Sequence, residues 1–234
     1  DNVSISAALT SGKLEIAQNA TIENLAHSGS SRLDINNAKV LTVSNAFEIP
    51  QGKLMELVGT GGGILKLDNI IEVSGTLQFS APDYTLQNGT LKLSRGLLDV
   101  DKNTIISSYI ILEDNSTIDI AQGVNLEYQG LSIDINEYQL TFRGSGTFSN
   151  SNSIVLNHHN SLLIFAGDIT IALIEVKGNS ATGKGIRVES AGAKIVNLTF
   201  SATDPDLANM GLTFSNGTLS LEVENLNLNS TAKL

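Results

Sequence analysis

The chain has 234 residues, with 24 acidic against 14 basic side chains, a formal charge of −10 and a sequence pI near 4.6. Charged residues make up only 16%, and there are 21 Gly, 3 Pro, no Cys and no Trp. This excludes disulfide frameworks, thiolate zinc sites and cysteine nucleophiles, and it argues against a disordered polyanion and against a grip on nucleic acid or anionic lipid, which needs clustered Lys and Arg.

From the N-terminus, Asp1 and Asn2 lead straight into Val3-Ser4-Ile5-Ser6 without a basic and apolar leader, so any export signal is expected outside this sequence. Alternating triplets then recur: Leu14-Glu15-Ile16, Leu33-Asp34-Ile35, Leu65-Lys66-Leu67, Ile71-Glu72-Val73, Leu91-Lys92-Leu93 and Leu98-Asp99-Val100. They continue with Ile118-Asp119-Ile120, Ile133-Asp134-Ile135, Ile174-Glu175-Val176, Ile186-Arg187-Val188 and Leu221-Glu222-Val223. Successive side chains of a strand face opposite sides, so each triplet sends two aliphatics inward and a charge outward. Turn formers separate the runs, among them Ser28-Gly29-Ser30, residues 59–63, Asn88-Gly89, residues 149–152, Gly183-Lys184-Gly185 and Asn216-Gly217. The pattern predicts an all-β chain of many short strands. Its most apolar stretch, residues 161–176, carries Asp168 and Glu175 and is too short for the ~18 apolar residues of a membrane span.

Internal similarity selects among all-β folds. Residues 14–22 match residues 118–126, and Leu33-Asp34-Ile35-Asn36 with Leu41-Thr42-Val43 matches Ile133-Asp134-Ile135-Asn136 with Leu140-Thr141-Phe142. The offsets, about 100 residues in both cases, fit five turns of roughly 20–21 residues. A right-handed parallel β-helix is expected, with residues 1–234 as a single β-solenoid domain and a segment of a longer chain; its hand follows the general crossover preference. Roughly eleven coils are expected at that period. The inward set should include Leu33, Ile35, Leu65, Leu67, Ile118, Ile120, Ile133 and Ile135. Asn and Gly should collect at corners, and Pro50, Pro82 and Pro205 should lie off the ladders. A pair of immunoglobulin-like sandwiches is the second fold reading, disfavoured by the missing Trp and Cys and by the internal register.

The Leu-Asp-Ile-Asn and Ile-Asp-Ile-Asn runs, with the following Leu140-Thr141-Phe142-Arg143-Gly144-Ser145-Gly146-Thr147-Phe148, resemble the coils of bacterial secreted β-helix surface proteins. Autotransporter passengers and filamentous-haemagglutinin-like adhesins are the nearest types. The resemblance covers almost the whole chain and lies in texture and period; no family site residue carries over. It implies an extracellular or cell-surface location and a structural or adhesive role, attaching to surfaces or displaying other domains. Partners would be flanking coils or domains of the same protein, and a host or neighbouring-cell surface protein or glycan. Neither nucleic acid nor membrane insertion is expected.

Chemistry-bearing residues are sparse. Gly178-Asn179-Ser180-Ala181-Thr182-Gly183-Lys184-Gly185 has phosphate-loop spacing, but Gly185 stands where Ser or Thr would hold magnesium, and a strand pattern follows where a helix is needed. Asp99, Asp101 and Asn103 supply three ligand positions of a calcium loop, yet Thr104 replaces its glycine and Ile110 its bidentate Glu. Alternation puts Asp99 and Asp101 on one outward face, so a solvated corner is expected. Asp204-Pro205-Asp206 is a second acidic turn. Stacking brings outward acids such as Asp119 and Asp134 within the reach a glycosidase pair needs, but no Asp-Asp dipeptide or Arg-x-Lys element accompanies them, and the basic residues are scattered. His27 and His158-His159 are expected on surface loops. The Asn-x-Ser/Thr triplets at Asn2, Asn19, Asn88, Asn115, Asn197, Asn216 and Asn229 follow from corner composition. No catalytic residue, metal or cofactor is therefore expected, and a polysaccharide lyase or hydrolase is the alternative function. At the ends, Ala7-Ala8-Leu9 is expected to help close the first coil, whereas residues 219–228 alternate without a stop and predict an uncapped last coil.

Overall fold

The structure, a computed structural model, describes residues 6–9, 11–177, 185–201, 211–215 and 219–228. Alternating aliphatics dictate strands with one buried face, and burying that face along a whole chain of short strands requires the strands to close around a common interior. The chain does so as an all-β parallel β-solenoid of about 8 turns, without helices in the described region. Among the described residues every strand pairing is parallel.

Each turn lays strands on three faces in a fixed order. The first face is a ten-stranded sheet running from Gly12–Ile16 through Ser31–Ile35, Leu54–Val58, Thr76–Phe79, Leu97–Val100 and Ser116–Ile120 to Gly211–Phe214. The second begins at Ala20–Ile22 and Val40–Val43 and belongs to a twelve-stranded sheet. The third carries Phe47–Ile49, Ile70–Val73, Thr90–Leu93 and Tyr109–Leu112 in a sheet of four. Farther along, Ile133–Asp134 and Ile154–Leu156 join the twelve-stranded sheet, because Thr170–Val176 runs as one strand past the corner. Asn150 explains that join. Its side-chain carbonyl accepts from the Leu173 N–H at 3.0 Å and its amide donates to the Leu173 carbonyl at 2.8 Å, so a side chain supplies the rung that the corner would lose.

All eight residues expected inward are buried, none more than 1% exposed. Corner chemistry also follows expectation: Asn88 and Asn136 take positive φ, and Asn45 donates to the Asn24 side chain of the neighbouring coil at 2.7 Å. Pro50 and Pro82 lie between strands; Pro205 is outside the described residues. Ala7 shares the register of Leu25 through the pairing of Ser6–Leu9 with Asn24–His27.

Coil length differs from the expected 20–21 residues. Ladder partners on adjacent coils stand from 18 residues apart (Ser6 and Asn24) to 28 (Ala193 and Leu221), so fewer turns consume the same chain. The repeat reading is also corrected in part. Gly12–Ile16 and Ser116–Ile120 do lie five steps apart in one sheet. The ladder, however, carries Leu14 over Leu33, Leu57, Phe79 and Val100 to Ile120 rather than Ile118, a slip of two that keeps every side chain on its face. Asp34 sits on the first face and Asp134 on the third, so that match reflects a shared strand pattern and no common register.

Among the described residues, Leu221–Leu228 pairs only with Ala193–Phe200. Its inward-register side chains Leu226 and Leu228 are 46% and 45% exposed. Residues 229–234 lie outside the description. Leu198, directly beneath Leu226, is only 5% exposed. Leu198→Ala is therefore expected to lower stability by about 2–4 kcal/mol, and Leu226→Ala by less than about 1 kcal/mol. Denaturant unfolding checks this; equal losses would mean that Leu226 is covered.

Candidate functional site

One outward register of the first face forms a column, ladder by ladder: Lys13, Arg32, Glu56, Gln78, Asp99, Asp119 and Arg143. Charges scattered at intervals in sequence thus become neighbours about 4.8 Å apart along the column. The column is basic at its start and acidic in its middle.

In the middle, Asp99 stacks directly on Asp119, and Asp101 follows where the strand ends at Val100. Gln78, one coil before, donates to the Asp101 carboxylate at 2.8 Å. Partial burial, reinforced by the charges of Asp101 and Asp119, pushes the Asp99 pKa up to about 6. The expected shared outward face of Asp99 and Asp101 is therefore present. Asn103 does not turn towards them; its side-chain carbonyl accepts from the Asn125 N–H at 2.9 Å and so caps the corner. Asp134 is not brought to Asp119, because the two stand on different faces; Asp99 is the stacked partner instead. No group of three His, Cys, Asp or Glu among the described residues is arranged to hold a metal ion.

At the start of the column, Lys13 Nζ lies 2.6 Å from the Asp34 carboxylate and Arg32 Nε donates to Glu56 at 2.8 Å. Asp34 points outward yet is 6% exposed, since the loop at Gly59 crosses over it. At φ +114° and in contact with that carboxylate, Gly59 has no room for a Cβ. Beside these residues a surface dish of about 400 Å³ is lined by Gly12, Lys13, Ser30, Ser31, Arg32, Leu54 and Glu56. A smaller one of about 290 Å³ lies at a corner lined by Glu48, Gln51, Ser74, Ser94, Arg95 and Asp114.

The meeting of Lys13 with Arg32 escaped sequence reading, which took the basic residues as scattered. A signal was present: Gly12-Lys13-Leu14-Glu15-Ile16 and Ser31-Arg32-Leu33-Asp34-Ile35 share a small–basic–Leu–acid–Ile pattern, and the ladder pairs them position by position.

His27 is corrected from a loop to an interior residue. It is 6% exposed and sits beside the Leu54 backbone. Burial pushes its pKa down. His158 and His159 do lie on a turn, with ring centroids 4.0 Å apart, and His158 Nδ1 accepts from the Asn160 N–H at 3.2 Å. Residues 178–184 of the phosphate-like loop and the acids of Asp204-Pro205-Asp206 lie outside the described residues; Gly185–Val188 is a strand, as its alternation predicted. Asn19 and Asn115 spend their side-chain carbonyls on the Val40 and Gln139 N–H groups of the next coil, the corner role that their composition implied.

Two titrations act in opposite senses. Asp99 has a folded pKa above its ordinary value of 3.8, so its contribution to stability is full below about 3.8 and is lost as pH rises through about 6. His27, shifted below 6.5, favours the fold when neutral, and that contribution falls as pH drops below 6.5. Asp99→Asn is expected to raise stability at pH 7 by at most about 1–2 kcal/mol after solvent screening, and by nothing near pH 3. Unfolding midpoints of both chains across pH check this; an equal difference at every pH would contradict it.

No helix of the described residues is long and apolar enough to cross a membrane. No family model, curated protein or solved structure matches the chain.

Proposed function

We propose that the chain is a structural or adhesive β-solenoid segment of a bacterial secreted or cell-surface protein, of the autotransporter-passenger or haemagglutinin-like kind that its coils resemble. The observation that carries this reading is the first face, ten parallel strands on which one outward register is a continuous ladder of polar and charged side chains from Lys13 to Arg143. Such a surface is about 40 Å long, stiffened on both sides of each internal strand by ladders, and suited to holding contacts in a line or holding another domain at a distance. Beads coated with the chain are expected to adhere saturably to cells or to surface glycans; beads no stickier than those carrying an unrelated acidic protein would count against it.

A carbohydrate-active enzyme is the second reading, and Asp99 favours it. A carboxyl held near pH 6 beside the acids Asp101 and Asp119 is how a general acid is separated from an ionised partner. Release of new reducing ends or unsaturated products from a polysaccharide, lost in Asp99→Asn, would establish that reading over the first.

A further inference from the structure

We infer that the last coil is a two-fold docking surface for a second copy of this chain, the two solenoids meeting tail against tail. The inference goes beyond the adhesive reading and stands or falls separately from it. Four of the six large apolar side chains exposed among the described residues, Leu212, Phe214, Leu226 and Leu228, belong to this one coil. Each occupies the inward register: Leu212 lies over Ile186, Phe214 over Val188, Leu226 over Leu198 and Leu228 over Phe200. Their exposure is that of an end plane, because Ile186, Val188 and Leu198, one coil earlier, are buried. Among the described residues the backbone of Leu221–Leu228 has a ladder on one side alone. An unpaired edge of that length is a template for another strand.

The order of side chains in this edge strand selects the partner. Leu221 and Val223 face inward before the corner and Leu226 and Leu228 after it, while Glu222, Glu224, Asn225 and Asn227 face outward. The pattern reads the same in both directions, with its centre between Glu224 and Asn225. A copy turned about a two-fold axis at that centre pairs antiparallel, setting Leu221 against Leu228, Val223 against Leu226, Glu222 against Asn227 and Glu224 against Asn225. Apolar then meets apolar and no acid meets acid, whereas a register centred on Val223 would set Glu222 against Glu224. Lys194 already holds both acids, at 3.2 and 2.6 Å, which leaves little of their charge to repel the copy. The corner lies opposite the first face, so the same axis leaves through Gly211–Phe214 and brings the exposed Leu212 and Phe214 of both copies together. The first coil offers no comparable surface, since Ile16, Ile22 and Leu25 are buried. That disfavours a head-to-tail row of copies and favours the closed pair that a self-complementary patch forms.

Sedimentation and small-angle scattering of the 234-residue chain over a range of concentrations test this. A monomer–dimer equilibrium is expected, with a dimer about 80 Å long against about 40 Å for one rod. Leu226→Glu puts a charge against Val223 of the copy twice in each dimer and should raise the dissociation constant at least tenfold. Leu228→Glu, against Leu221 of the copy, should do the same. Leu131→Glu, at an exposed leucine in mid-rod, should leave the constant unchanged. Circular dichroism and unfolding midpoints of the dilute chains confirm that each variant folds. The small loss expected for Leu226→Ala is that of the separated chain, and by mass action it should grow with concentration. A chain that stays monomeric at every concentration overturns the inference and leaves the end to further residues of the same chain. Assemblies that grow past two overturn it in favour of a head-to-tail contact, and a dimer no longer than one rod in favour of side-by-side packing. A dimer unchanged in folded Leu226→Glu and Leu228→Glu also overturns it.

Discussion

Phe148→Ala is expected to lower the unfolding free energy by about 3–5 kcal/mol. Phe148 is fully buried, stacks on Tyr128 at a centroid distance of 5.9 Å and meets Phe142 at a tilt of 59° and 5.1 Å, so two coils and two faces share its ring. Coils held on both sides by ladders have little freedom to collapse into the space that alanine leaves. Phe148→Leu, which keeps most of the volume, should lose only about 1–2 kcal/mol. Denaturant unfolding gives both values, and a loss below about 1 kcal/mol for alanine would mean that the interior is not packed there. Because a solenoid is coupled mainly to its nearest neighbours, amide exchange should quicken first in the adjoining coils, around Leu126 and Ile171.

The second large effect is expected from a single oxygen. Tyr84 reaches back two coils, where its hydroxyl accepts from the Ile35 N–H at 2.8 Å and donates to the Val58 carbonyl at 2.7 Å. The chain needs this because the glycine-rich loop at residues 59–63 leaves the ladder just there, and Gly63 passes so close that a Cβ would press on the Ile35 carbonyl and the Tyr84 ring. Tyr84→Phe keeps the ring and takes the partner from the buried Ile35 N–H and the half-buried Val58 carbonyl, which should lower stability by about 2–3 kcal/mol. Tyr128→Phe gives a built-in comparison. Its hydroxyl accepts only from the Ile110 N–H, at 3.2 Å, and its removal should cost about half as much. Faster exchange of the Ile35 amide in Tyr84→Phe, with the Ile110 amide unchanged, would identify the oxygen as the cause.

What alternation encodes was legible, and what register encodes was not. Leu33, Ile35, Leu65 and Leu67 had to face inward because a strand has a period of two, whatever lies beside it. Which coil stacks on which residue depends on corner length, and corners here absorb several residues of variation without any change in the strands. For this reason Asp119 found Asp99 rather than Asp134, and Lys13 met Arg32 although the basic residues looked dispersed. His27 shows a second limit. At the third-face strand Asn24–His27 it occupies the inward position two after Leu25, so its place was readable from alternation; a polar side chain there ran against the usual rule that such groups are paired or exposed. The adhesive reading draws on the same asymmetry, since the interior is fixed by packing while the outward column is free to vary.

The measurement that bears most directly on the proposed function is an assay of polysaccharide fate on beads coated with the chain, scoring retained polymer and released ends together. A structural or adhesive solenoid predicts saturable retention with no increase in reducing ends or unsaturated products over time. Catalytic release of such products, abolished by Asp99→Asn in a folded chain, would contradict it.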